Sequence, residues 1–233
     1  MLGNKSSLTI SQALKLYTGT GLAGTILGLA VYEVVFYAAA AACMTIIIMF
    51  SEGISYAGAV SNIAETPAGD CVMVFAPGII NCIVLLSQYS KDKPGAKMLR
   101  TVKGGFGTFV NYRTGVYISE LLSTILFGAA ALLLDIAGIA KIHGGLSAVI
   151  ALVVSNIAAI GIITFILPAK NEFVLGAGSV ITMFAVTGAC TIMLSMFFDD
   201  LIPHLIVGIV GAVLVAVSSK VYFAYYRKNR WDS

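Results

Sequence analysis

Charge is scarce in this sequence: Asp, Glu, Lys and Arg together make up 11% of 233 residues, against about 25% in an ordinary soluble domain. That deficit excludes a normal water-facing surface. Metal-ligating side chains are few as well, with only His143 and His204 as imidazoles and four cysteines, Cys43, Cys71, Cys82 and Cys190, none in a Cys-x-x-Cys pair. No zinc or iron–sulfur framework is expected. The cysteines read as small apolar packing residues, with Cys71 placed where a bridge near the outer surface stays open. A net charge of +3 points neither to nucleic acid nor to an acidic substrate.

Several catalytic signatures are missing too. No Gly-x-x-x-x-Gly-Lys-Ser/Thr loop is present to cradle phosphates, so the chain is not expected to hydrolyse ATP itself. Gly19-Thr20-Gly21-Leu22-Ala23-Gly24 matches the dinucleotide fingerprint as a string, but no strand precedes it, and small residues for helix packing explain it better. A His-Glu-x-x-His pair is absent, Asp135 has no partner aspartate in a comparable span, and Ser179 after Gly178 is followed by Val180 instead of glycine. No enzyme activity and no cofactor bound by this chain are expected. Lys5 is not followed by a short apolar core and cleavage site, so no signal peptide is expected.

What remains is apolar: 59% hydrophobic residues and a mean hydropathy of +0.97. At about 1.5 Å per residue, crossing a hydrocarbon core of about 30 Å takes about 20 apolar residues. Six segments qualify, at about 30–50, 71–90, 116–137, 146–167, 174–198 and 202–226, with Pro77 placed to kink the second. Continuous apolar runs, in place of period-2 alternation, make them helices and not barrel strands. The fold class is therefore an all-α integral membrane protein, one transmembrane domain over 1–233. With both termini inside, every Lys and Arg except Lys141 falls on the cytoplasmic side. The break Asp199–His204 reads as a tight outer turn or as part of a re-entrant element.

Two further segments carry information. Residues 8–28 place Leu8, Ile10, Leu14, Leu16 and Tyr17 around Ser11, Gln12 and Lys15, which suits a helix lying on the inner membrane face. Between the second and third spans, Leu99, Val102, Phe106, Phe109 and Val110 recur at near-helical spacing, with Arg100, Lys103 and Arg113 off that face. A short amphipathic helix in a basic loop is expected there. It offers apolar anchors (Leu99, Val102, Phe106, Phe109) and charge (Arg100, Lys103, Arg113) to a partner protein, or it rests on anionic lipid. Glu33 and Glu120 fall at similar depth in the first and third spans, where a charge is costly unless paired or hydrated. They are candidates for gating or ion coupling, or else anchor at the interface or pair with Arg100, Arg113 or Lys15.

The order of elements, with the stretch Met98-Leu99-Arg100-Thr101-Val102-Lys103-Gly104-Gly105-Phe106-Gly107-Thr108-Phe109 in the basic loop, resembles the permease subunit of ABC-2-type transporters. That resemblance covers the whole chain as topology. It implies a cell-membrane exporter for a hydrophobic peptide, lipid or drug, built with a second copy or homologue and driven by separate subunits that bind ATP and Mg. In that family the loop helix docks on the ATPase. A self-contained carrier or channel using Glu33 and Glu120, and a non-transporting immunity or assembly factor, are the alternative readings.

Overall fold

In the computed structural model, residues 7–65, 67–88, 103–139, 141–142, 144–166 and 201–228, with positions 178, 181 and 185, are described. Among them every element is helical: α1 (Ile10–Thr18), α2 (Leu22–Glu52), α3 (Tyr56–Glu65), α4 (Pro67–Gln88), α5 (Gly105–Ile136), α6 (Gly145–Ile166) and α7 (Leu201–Tyr226). Four of these helices, α2, α5, α6 and α7, are long and apolar enough to cross a membrane, and α4 carries a shorter apolar stretch, Val72–Leu85. The expected span at 174–198, apart from positions 178, 181 and 185, lies outside the described residues.

The helices are inside-out relative to a soluble bundle. On α5 the buried positions recur every three or four residues, from Thr108, Arg113 and Ser119 to Glu120, Ser123 and Thr124, while Leu122, Ile125, Leu126, Leu133 and Leu134 are exposed. Many large apolar side chains of α2, among them Val31, Val35, Ile47 and Phe50, also face outward. Polar groups inside and apolar groups outside are stable only where the surrounding solvent is hydrocarbon. The chain is a membrane-embedded helical protein.

Three expectations need correction. Segment 8–28 is not one interfacial helix: Gly19, at φ 78, ends α1 in the left-handed conformation that glycine adopts without strain, and α2 starts at Leu22, well before residue 30. Nor is α1 simply laid on lipid. Ala13 and Leu14 are fully buried, and its inner face packs on α5 beside Tyr112 and Val116. Finally, residues 105–115 are not a separate loop helix. Gly104, at φ 84, turns the chain into α5, which then runs unbroken for 32 residues.

A rod of that length is about 48 Å, so about 18 Å projects beyond a core of about 30 Å. α1 is fastened to that projection. Its Thr9 capping box starts the helix, Tyr17 stacks on Tyr112 with ring centroids 4.1 Å apart, and Asn111 Nδ2 donates to the Leu8 carbonyl at 2.6 Å. Gly115 makes the approach possible, because a Cβ there would lie 2.8 Å from Leu14 Cδ1.

At the other end, the short helix α3 leans on α2 through the Asn62–Glu52 hydrogen bond of 3.1 Å. Pro77 stays inside α4, where it removes the N–H that would bond the Met73 carbonyl. α7 starts at Leu201, with Pro203 in its first turn, where the missing N–H has no intrahelical partner to lose.

Candidate functional site: a polar layer between two apolar layers

Three layers stack along the bundle. At one end, Leu85 of α4, Phe109 of α5, Ile160 and Ile163 of α6 and Tyr222 of α7 form an apolar cluster. At the other, Met73 and Val74 of α4, Phe127 of α5 and Ala148, Val149 and Leu152 of α6 form a second. Between them in sequence on each helix lie Asn81 of α4, Glu120, Ser123 and Thr124 of α5 and Asn156 of α6, all within 2% of complete burial. Glu33 of α2 joins this level, with Leu29 buried a turn before it and Tyr37 packed on the second cluster a turn after it.

Hydrogen bonds tie the layer across four helices. Ser123 Oγ donates to Glu33 Oε1 at 2.8 Å, and Thr124 Oγ1 approaches the same oxygen at 3.3 Å. Asn81 Nδ2 donates to Thr124 Oγ1 at 3.1 Å and to Asn156 Oδ1 at 3.3 Å. Asn156 in turn donates to the Leu152 carbonyl at 2.9 Å. Buried polar groups in hydrocarbon are stable only when so connected.

The connection is incomplete. Glu33 Oε2, Asn81 Oδ1 and both carboxylate oxygens of Glu120 are buried and accept no hydrogen bond, and among donor atoms Arg113 Nε and Nη1 and the Tyr112 hydroxyl are likewise buried without one. Arg113 sits two turns before Glu120 on the same face and is itself buried, with its guanidinium 5.4 Å from the Phe109 ring centroid and 5.7 Å from that of Tyr112. Side chains on a helix lean toward its N-terminus, so Glu120 leans toward Arg113.

The sequence-predicted residues divide accordingly. Glu33 and Glu120 are brought to one level, and Glu33 is held by hydroxyls of the facing helix, not at an interface. Leu99, Arg100 and Val102 lie outside the described residues. Lys103 is exposed and Phe106 half-buried, with the Arg227 guanidinium 5.5 Å over the Phe106 ring. Phe109 and Arg113 are buried in the bundle, so in this arrangement they are not surface anchors: α5 starts at Gly105 and turns them inward. Cys43 is a free thiol facing outward, not a packing residue.

Ser123 and Thr124 were not singled out from sequence, although a signal existed. Thr108, Arg113, Ser119, Glu120, Ser123 and Thr124 recur at helical spacing inside an apolar run, which marks a polar seam. Compared with protein-family models, curated proteins and solved structures, the chain matches none.

Proposed function

We propose that this chain is the permease subunit of an ATP-driven exporter in the cell membrane, working with a second permease subunit and with separate ATPase subunits that hold ATP and Mg. The observation that carries this reading is the rod of α5. One unbroken helix leads from Gly105, next to the Gly104 turn that follows Lys103, through the α1 clamp, to Glu120, Ser123 and Thr124 in the polar layer. Helices transmit displacement as rigid bodies, so a push on the projecting end tilts or shifts the layer that joins four helices. The chain has no phosphate-binding loop of its own, and a partner acting at Lys103, Arg100 and Leu99 would supply the work. Six spans with both termini in the cytoplasm complete the proposal, and a hydrophobic peptide, lipid or drug is the cargo class suited to a site opening between lipid-facing helices.

Purification of the tagged full chain in mild detergent tests this. A nucleotide-binding protein should accompany it, and Lys103→Glu or Leu99→Asp should release that protein while leaving the chain monodisperse. Absence of any such protein from the complex, with transport by the purified chain alone, would refute the reading.

A second reading, an ion-coupled carrier, is favoured by one specific observation: two carboxylates, Glu33 and Glu120, buried at one level of the bundle. Ion exchange by the purified chain in vesicles, abolished by Glu33→Gln, would establish it.

A further inference from the structure

The polar layer leaves carboxylate oxygens unserved. Glu33 Oε1 is served by the Ser123 and Thr124 hydroxyls, but Glu33 Oε2 and both oxygens of Glu120 receive nothing. Glu33 lies against residues 123 and 124, one turn beyond Glu120 on the same face of α5. Two carboxylates thus share one buried, water-poor level. Two negative charges there are far too costly unless each is balanced.

Among the described residues the countercharge is limited. Arg113, two turns before Glu120 on the same face of α5, supplies at most one positive charge. The buried phenol of Tyr112 adds none, and Lys15 of α1 is exposed. α4 and α6 face the layer with Asn81 and Asn156, which are neutral, and among their described side chains neither helix presents a titratable group to it. On α7, Lys220 is exposed and Arg227 sits over Phe106, beyond the apolar cluster that contains Phe109. Among these residues, two carboxylates against one guanidinium leave one charge to be neutralised.

We propose that Glu33 and Glu120 together bind one exchangeable proton, so that the layer is a proton site carrying one carboxyl and one carboxylate. The proton comes from water as hydronium and returns to it, and no other bond changes. On Glu33 Oε2 it gives an O–H donor at the level of the acceptor-only Glu120, so one proton serves Glu33 Oε2 and one oxygen of Glu120. A sodium ion fits less well. It needs several oxygens turned toward it, whereas the Ser123 and Thr124 hydroxyls are already engaged with Glu33 Oε1 and the Glu120 carbonyl, and no group of three or more acidic, histidine or cysteine side chains converges among the described residues. The site holds whether or not an ATPase drives the chain, because it follows from charge balance alone.

Infrared difference spectroscopy of the full chain in lipid nanodiscs, in potassium buffer, reads this directly. At neutral pH the wild type should show one protonated carboxyl per chain, lost on titration to high pH. Either Glu33→Gln or Glu120→Gln should abolish that signal, because the acid left behind is then balanced by Arg113. Arg113→Gln should double it. The wild-type titration needs no variant to fold, and its outcome is decisive: no protonated carboxyl at neutral pH overturns the proposal. So does a signal that survives Glu33→Gln, and so does loss of the signal on adding sodium at constant pH, which would make the layer a sodium site.

Discussion

Ser123 and Thr124 donate to the same oxygen of Glu33, at 2.8 and 3.3 Å, and this redundancy sets a quantitative expectation. Thr124→Val keeps the shape of the side chain and removes its hydroxyl. Two interhelical hydrogen bonds are lost, to Glu33 Oε1 and from Asn81 Nδ2, yet Glu33 keeps Ser123 and Asn81 keeps Asn156. At about 0.6 kcal/mol for each interhelical hydrogen bond in a membrane protein, the cost is about 1 kcal/mol. Ser123→Ala removes one such bond and costs about 0.6 kcal/mol on the same basis.

The double substitution is different in kind. Glu33 Oε1 then has no donor in a fully buried site, and an orphaned buried acceptor adds about 1–3 kcal/mol. The double variant should therefore exceed the sum of the singles by at least about 1 kcal/mol, outside the 0.3–0.5 kcal/mol or so within which independent sites add. Unfolding by SDS titration, followed by circular dichroism, measures all three variants against wild type. Additivity would refute the shared-acceptor geometry, and so would a single variant as damaging as the pair.

Gly115→Leu should detach α1, since even a Cβ at 115 meets Leu14 Cδ1 at 2.8 Å and Ile10 Cγ2 at 2.9 Å; protease cleavage near Thr9 should then accelerate while the span helices stay intact. Gly161→Val should force α6 from α7, because a Cβ there lies 3.0 Å from both Leu214 Cβ and the Val215 amide nitrogen, with a loss of about 1–3 kcal/mol read in the same SDS titration. Gly69→Ala should be comparably harmful, its methyl placed 2.5 Å from the backbone carbonyl oxygen of Ile63, an atom that cannot rotate away; an unchanged midpoint would show that α3 does not sit over the start of α4.

Length and hydropathy made the long helices legible before any coordinates, because a span is a property of a continuous run and lipid leaves the backbone no other choice. Their starts were not legible. Gly104 turns the chain in the left-handed conformation and Gly105 begins α5. Polar residues at 105–115 suggested a loop, but a helix that overshoots the membrane carries polar residues on its projecting end. Spacing puts Phe109 on the face offered to a partner and Arg113 off it, whereas both are buried, Phe109 in the cluster with Leu85, Ile163 and Tyr222. Glu33 and Glu120 stood out as charges in apolar runs. Their partners did not, since Ser123, Thr124, Asn81 and Asn156 are common packing residues in spans, and only their convergence distinguishes them.

Cysteine accessibility along α5 tests most directly whether this helix joins an aqueous end to a buried polar layer. In a chain cleared of its native cysteines, single cysteines at Lys103, Glu120, Ser123 and Ala137 would be probed with a membrane-impermeant maleimide from each side of sealed vesicles. Lys103 should label from the cytoplasmic side only and Ala137 from the opposite side only, with positions 120 and 123 protected from both. Labelling of 103 and 137 from the same side would contradict a membrane-crossing α5, and ready labelling of 120 and 123 would contradict a dry polar layer.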